Sequence, residues 1–299
     1  MSKAPADFLP PRPRMVVLDI DGTLLDPSGA LRSTVRDAVR QTLETGVLVT
    51  IATGRRFDSA SAVARELGLE LPLVLHGGTI IQDSETAEVL YEDVMNHALL
   101  CEVITEIVRH EQQPVLYTSP AAGGTLYTGP GERDSLATAQ YLASQPEVRR
   151  RSYDVLPSTD HTISVGVIQS DDVLRPLYET LRTMQSCSVL LWDPDPMYEG
   201  GVDHLLDILN AGCSKFKALA HLTGRYGIHT DEVMAIGDQV NDLDLIGNVG
   251  LGVAMGNAIP AVQQCAKVVV GTNAEDGVVE ALRRFVLDRP DNAQLHKQQ

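Results

Sequence analysis

Val16-Val17-Leu18-Asp19-Ile20-Asp21-Gly22-Thr23 is the stretch on which the reading of this chain turns. An apolar run stops at two carboxylates one residue apart and passes into a Gly-Thr turn. Side chains two positions apart on an extended segment point the same way, so Asp19 and Asp21 are expected to converge on one small volume. Two carboxylates held together repel each other unless a cation or a shared proton relieves them. Metal binding, nucleophilic attack and proton transfer all use such a pair. The plainer reading is a solvated turn with two incidental aspartates, and the other strand ends decide between the two.

Working outward, Val35, Ala38, Val39, Thr42 and Leu43 recur at helical spacing and stop at Gly46. Val47–Ala52 is a short β-branched run, Ser59–Leu67 a helix ending at Gly68, and Leu71–Leu75 a third strand. Strand, helix, strand, helix, strand is the rhythm of parallel β-α-β units, whose strands read as continuously apolar when both faces are covered. The rhythm then changes. Short strands within Thr79–Val94 precede a helix through Leu99, Val103, Ile107 and Val108. Strands follow near Val115–Thr118, Thr125–Thr128, Ile163–Ile168 and Val189–Trp192, with helices at Leu136–Ala143 and Val173–Met184. From Lys215 the first rhythm returns: helix Phe216–Leu222, strand Val233–Ile236, helix Leu243–Ile246, strand Leu251–Ala254, helix Ile259–Cys265, strand Lys267–Val270 and helix Gly277–Leu287. The expected fold is an α/β, Rossmann-like parallel sheet core over residues 14–83 and 193–290, with an α+β domain inserted at 84–192. A leader (1–13) and a tail (291–299) flank it.

The chain has 299 residues, 43% hydrophobic and 21% charged, with a formal net charge of -16. That charge argues against nucleic acid and anionic membrane surfaces as partners, and it accommodates an anionic substrate only where a local cation neutralises the site. Cys101, Cys187, Cys213 and Cys265 are scattered without paired spacing and read as small hydrophobes of a reducing compartment. No apolar run reaches the ~18 residues of a membrane span, and the Pro-containing leader lacks the apolar core of a signal peptide. A cytoplasmic protein is expected. Oligomeric state leaves no mark in the sequence.

Ligands in parallel α/β sheets bind beyond the carboxyl ends of the strands, and there the chemistry collects. The second strand ends in Thr53-Gly54-Arg55 and the Val233–Ile236 strand in Gly237-Asp238-Gln239-Val240-Asn241-Asp242, while Lys215 opens the preceding helix. Asp19 suits a carboxylate nucleophile toward phosphorus. Mg²⁺ takes a few oxygen ligands and keeps waters or phosphate as the rest, which Asp19, a backbone carbonyl near Asp21 and Asp238 supply, with Asp242 as a metal ligand or its orienter. Thr53, the Gly54 N–H, Lys215 and Asn241 suit three phosphoryl oxygens. Asp21 suits proton transfer to the leaving oxygen. A lysine at a helix start is electrostatically unfavourable, and an anionic partner relieves it. Arg55 reads equally as structural or functional, Arg149-Arg150-Arg151 as a solvated face, His76, His161 and Trp192 as packing residues, and Asp276 as the N-cap of the last helix.

Asp19-x-Asp21-Gly22-Thr23, Thr53, Lys215 and Gly237-Asp238-x-x-Asn241-Asp242, in that order, resemble the four motifs of the haloacid-dehalogenase-like phosphohydrolases. Gly252–Ala258, Ala266 and Asn273–Val278 resemble its Cof-type sugar-phosphatase branch, and the likeness runs from about Met15 to Leu287. It implies a Mg²⁺-dependent phosphatase of small phosphorylated metabolites, first among them sugar phosphates. It further implies an aspartyl-phosphate on Asp19, Asp21 as acid and base, a phosphate site that includes the backbone at Ile20, and a cap domain formed by the insertion. Two departures stand out, His76-Gly77-Gly78 for the usual Asn-Gly-Ala and Lys215-Phe216 for Lys-Gly. The rival readings are a phosphomannomutase-like phosphomutase, disfavoured by the Cof-like tail, and a non-catalytic metabolite-sensing module, disfavoured by the intact set of nucleophile, acid and metal ligands.

Overall fold

In the computed structural model, which describes residues 10–192 and 203–289, the run before Asp19 is strand β1 (Met15–Leu18), with no exposed side chain. It is followed by α1 (Ser33–Glu44), β2 (Leu48–Ile51), α2 (Phe57–Leu67), β3 (Leu73–Leu75), β4 (Ile80–Gln82) and β5 (Val89–Glu92). Next come α3 (His97–Arg109), β6 (Val115–Thr118), β7 (Leu126–Thr128), α4 (Leu136–Ala143), β8 (Val148–Arg150), β9 (Thr162–Ser170), α5 (Asp171–Leu181), β10 (Cys187–Trp192) and β11 (Asp203–Asn210). The chain closes with α6 (Lys215–Arg225), β12 (Val233–Gly237), α7 (Leu243–Asn248), β13 (Leu251–Ala254), α8 (Pro260–Cys265), β14 (Val268–Val269) and α9 (Gly277–Leu282).

Two compact units result, one of residues up to Leu90 and from Ser214, the other Tyr91–Cys213, against an expected insertion of 84–192. The expected junction at 193, the tail 291–299 and most of the leader lie outside the described residues. The first unit is a parallel sheet in the order β14-β13-β12-β1-β2. Because β1 lies between β12 and β2, the strand order reverses at its carboxyl end, the position where open α/β sheets bind ligands. β3 extends that rim, with Thr53 N donating to Val74 O at 2.9 Å. The core side chains come from both sequence-distant halves, Val16, Leu18 and Ile51 packing with Ile236, Val253 and Phe285. The final helix breaks after Leu282 into a wider turn, Arg283–Leu287. Asp276 does not cap it, since it sits at φ +60° with its carboxylate accepting from Thr34 Oγ1 at 2.7 Å and paired with Arg32 at 3.1 Å.

The second unit is a six-stranded sheet, β10-β11-β9-β6-β7-β8, antiparallel except for the β7–β8 pair. Leu116, Val165, Val167, Leu206 and Ile208 turn one face onto Leu99, Val103 and Ile107 of α3 and Leu174, Leu177 and Leu181 of α5. Its two ends are joined by Asn210, whose Nδ2 donates to Asp93 Oδ1 at 2.6 Å and to Val94 O at 2.9 Å. Strands β8 and β11 were not expected from sequence. The arginines of β8 and the one that follows it are not simply solvated. Arg150 pairs with Asp134 at 2.5 Å, Arg149 with Glu147 at 2.6 Å, and Arg151 lies 4.3 Å over the Tyr127 ring. His161 pairs with Glu92 at 3.2 Å, and the Trp192 side chain lies outside the described residues.

Candidate active site

Asp19 extends β1 by one hydrogen bond, its N–H to Ile236 O at 3.0 Å, and its side chain is buried. The chain then leaves the sheet in a wide turn, Ile20–Leu24, closed by Leu25 N to Ile20 O at 3.1 Å. Gly22 enters that turn at φ +72°, and a Cβ there would collide with the Asp238 carboxylate, so the position demands glycine twice over. Thr23 Oγ1 donates to Asp238 Oδ1 at 2.7 Å.

From the end of β12, Asp238 N and Gln239 N each donate at 3.0 Å to Asp242 Oδ2, which folds the Asp238–Asp242 loop around that carboxylate. Lys215 reaches in from the first turn of α6, wholly buried, its Nζ 2.8 Å from Asp19 Oδ1 and 2.7 Å from Asp242 Oδ1. A Cβ on Gly78 would strike the Ser214 carbonyl, so the His76–Gly78 turn presses on the start of α6. Burial and the neighbouring Arg56 push the His76 imidazole down to about 4, which keeps it neutral.

Carboxylate oxygens of Asp19, Asp238 and Asp242 lie within 4.8 Å of one another. Burial lifts the Asp19 carboxyl well above its ordinary value against the pull of Lys215, with Asp242 and Asp238 adding to the rise. Burial likewise lifts Asp238 to about 7 against the Thr23 hydrogen bond, and Asp242 adds to it. Burial would lower Lys215, yet Asp19 and Asp242 outweigh it and its ammonium is held above the usual lysine value. Three carboxylates against one ammonium leave a surplus of negative charge on hard oxygen donors. That donor set fits a divalent cation.

Asp21 stands apart from this cluster. Its exposed carboxylate is gripped at both oxygens by Arg55, Nε at 2.8 Å and Nη2 at 2.6 Å. The same-side rule for strand residues does not reach it, because β1 ends at Leu18 and the turn sends Asp19 inward and Asp21 outward. Thr53 is buried with Oγ1 accepting from Arg55 N at 3.1 Å, beside exposed Gly54. Asn241 is buried, and its Oδ1 has no hydrogen-bond partner among the described residues. An orphaned buried amide oxygen is an acceptor that a water or another hydrogen-bond donor satisfies, while the Nδ2 of the same side chain is the atom suited to a phosphoryl oxygen. The sequence motif includes Thr23 without giving it a role, and Arg55 reads equally as structural or functional. Thr23 stood in the quoted stretch, but nothing local announced that its partner is 215 positions away.

Residues 16–282 match the family model of haloacid dehalogenase-like hydrolases. The 5-amino-6-(5-phospho-D-ribitylamino)uracil phosphatase YcsE of Bacillus subtilis is 27% identical, the alignment covering 92% of this chain and 96% of that protein. The pyridoxal phosphate phosphatase YbhA of Escherichia coli is 26% identical over 89% and 96% of the two chains. A haloacid dehalogenase-like hydrolase from Bacteroides thetaiotaomicron, of solved structure, superposes with a TM-score of 0.69 at 26% identity, covering 90% and 98% of the two chains. Matched over nearly its whole length and carrying the motifs in order, the chain belongs to the haloacid dehalogenase-like hydrolases, in the Cof-type branch, as a phosphoric monoester hydrolase.

Proposed function

We propose that the chain is a Mg²⁺-dependent phosphatase of small phosphorylated metabolites, sugar phosphates first, acting in the cytoplasm through an aspartyl-phosphate on Asp19. The observation that carries this reading is the buried Asp19–Lys215–Asp242 contact with Asp238 alongside. Lys215 holds one oxygen of Asp19 and leaves the other for attack. None of the four cysteines forms a disulfide, and no helix among the described residues is long and apolar enough to cross a membrane.

Asp19 and Asp238, with Asp242 behind them, would hold Mg²⁺, which supplies charge neutralisation for a phosphate dianion. Asp19 attacks phosphorus, and the bond to the leaving oxygen breaks as Asp21 delivers a proton to it. Water then attacks the phosphoenzyme, returns a proton to Asp21 and frees Asp19. To do this, Asp21 exchanges Arg55 for the substrate. Thr53, the Gly54 N–H, Lys215 and Asn241 receive the phosphoryl oxygens, and the Tyr91–Cys213 unit is the cap domain that sets which metabolites are accepted. The relatives' different named substrates at similar identity fit a family in which the phosphate site is shared and the leaving group varies.

The test is hydrolysis of an aryl phosphate and a panel of metabolite phosphates by the wild type, by the chelator-stripped protein and by Asp19→Asn. Activity should vanish with the metal, return with Mg²⁺, and fall by several orders of magnitude in the variant. A variant retaining more than about a tenth of kcat, which is ~1.4 kcal/mol of barrier, rules out Asp19 as nucleophile.

A further inference from the structure

Two stretches of the C-terminal half have no part in the chemistry above, although they are distinctive in the sequence: Gly252–Ala258 and Asn273–Val278. Both converge on the turn that carries Asp21. Asn257 Nδ2 donates to Gly22 O at 2.8 Å, and Asn257 Oδ1 accepts from Asn273 N at 2.9 Å. Asn273 Nδ2 in turn donates to Leu25 O at 2.8 Å. The two loops are pressed together, Gly256 N donating to Gly271 O at 3.0 Å, with no space for a Cβ on Gly256 against the backbone of residues 270–272.

The turn needs such support. Asp21 (φ -77°, ψ 129°) and Gly22 (φ 72°, ψ -3°) lie outside helical conformation, so the turn lacks a regular ladder of its own bonds. On the near side the chain is anchored by Asp19 in the sheet. On the far side, Thr23 is tied to Asp238 and the Gly22 carbonyl to Asn257. Asp21 is the side chain between these anchors. We propose that Asn257, backed by Asn273, is a positioning residue that fixes the Gly22 peptide and thereby the direction from which Asp21 meets the leaving oxygen. Asn257 is exposed, and exposed hydrogen bonds contribute little net stability. The work of this side chain is therefore in geometry, where a displacement of about 1 Å costs up to ~100-fold in rate.

The inference rests on Asp21 as the general acid, which matters most when the leaving group is poor. Its test compares kcat/KM for an aryl phosphate and an alkyl phosphate in the wild type, Asn257→Ala, Asn257→Asp, Asn273→Ala and Asp21→Asn, with thermal melts for each. The Asn257 variants should lose at least ~10-fold on the alkyl ester and under ~3-fold on the aryl ester, with Tm within about 3 °C of wild type. Asn273→Ala should fall in the same direction, less far. In the Asp21→Asn background, Asn257→Ala should add under ~2-fold on the alkyl ester. Equal losses on both esters in the Asn257 variants, beside a selective Asp21→Asn, overturn the inference and leave the acid intact. An unselective Asp21→Asn removes the acid role and the inference with it.

Discussion

Replacing Lys215 by methionine keeps the volume of a wholly buried side chain and deletes its charge. Asp19 Oδ1 and Asp242 Oδ1 then lose their partner at 2.8 and 2.7 Å, among three carboxylates within 4.8 Å. Stranding a buried charge in this way costs ~3–5 kcal/mol. The cost has a ceiling, because a stranded carboxyl can take up a proton instead. From an ordinary value of 3.8, protonation at pH 7.5 costs about 1.36 × 3.7, or ~5 kcal/mol, and at pH 5.5 about 1.36 × 1.7, or ~2 kcal/mol. In chelator at pH 7.5, Lys215→Met should therefore melt about 10 °C below wild type. At pH 5.5 the deficit should shrink by roughly half. Excess Mg²⁺ should narrow it at pH 7.5, since a second cation compensates the same oxygens. Thermal denaturation read by circular dichroism over pH 5–8, with and without metal, measures all three. A deficit under about 3 °C at pH 7.5, or one that grows as pH falls, refutes the account of Lys215 as the charge that makes this acidic cluster tolerable.

Gly22→Ala should cost ~1–2 kcal/mol for the left-handed backbone alone and more from the Asp238 contact, with kcat falling at least ~10-fold; unchanged Tm and kcat would show that the turn yields freely. Asp207 in β11 bears a buried Oδ1 with no hydrogen-bond partner among the described residues, and burial lifts its carboxyl to about 7 against a hydrogen bond from Ser164. The folded state thus keeps a proton that the unfolded chain releases near pH 4, so this residue's contribution is full at low pH and is lost as pH rises from about 4 to 7. Discounted for partial exposure, the loss is on the order of 2 kcal/mol; Asp207→Asn should remove that slope and exceed wild-type stability at pH 8, and a melt whose slope persists in the variant contradicts this. Replacing Tyr91–Cys213 by a short Gly/Ser linker should leave a folded first unit that hydrolyses aryl phosphates weakly and no longer ranks metabolites. A truncated protein that keeps the parent's ranking would move specificity to the rim of the first unit, with His76 the next residue to change.

The first unit is legible in the sequence because its strands are unbroken apolar runs, and Leu251–Ala254 falls where the pattern puts it. The site was legible by residue type and by its place after the strands: Asp19, Lys215, Asp238 and Asp242 meet across more than 200 positions. What failed was direction. The alternation that would align Asp21 with Asp19 stops where the strand stops, and Arg55 offers Asp21 a partner that local pattern does not reveal. In the second unit, β11 hides because Asp203, His204 and Asp207 interrupt its apolar positions, and β8 because consecutive arginines look like open surface until Asp134 and the Tyr127 ring are set beside them. Asp276 has the chemistry of a cap and the wrong backbone for one.

The Asn210–Asp93 bond has a consequence for how the chain folds. It ties the two ends of an insertion of about 120 residues to each other, within three residues of each crossing. To the first unit such an insertion is entropically a loop of a few residues, since closure cost grows as (3/2)RT ln n, and the difference from an open loop of ~120 is roughly 2–3 kcal/mol. The second unit can thus lengthen, lose or rebuild what lies beyond the stitch without making the parallel sheet harder to assemble. A lineage carrying this arrangement is free to change the second unit while keeping the parallel sheet of the first, and the acidic cluster at its rim, unchanged.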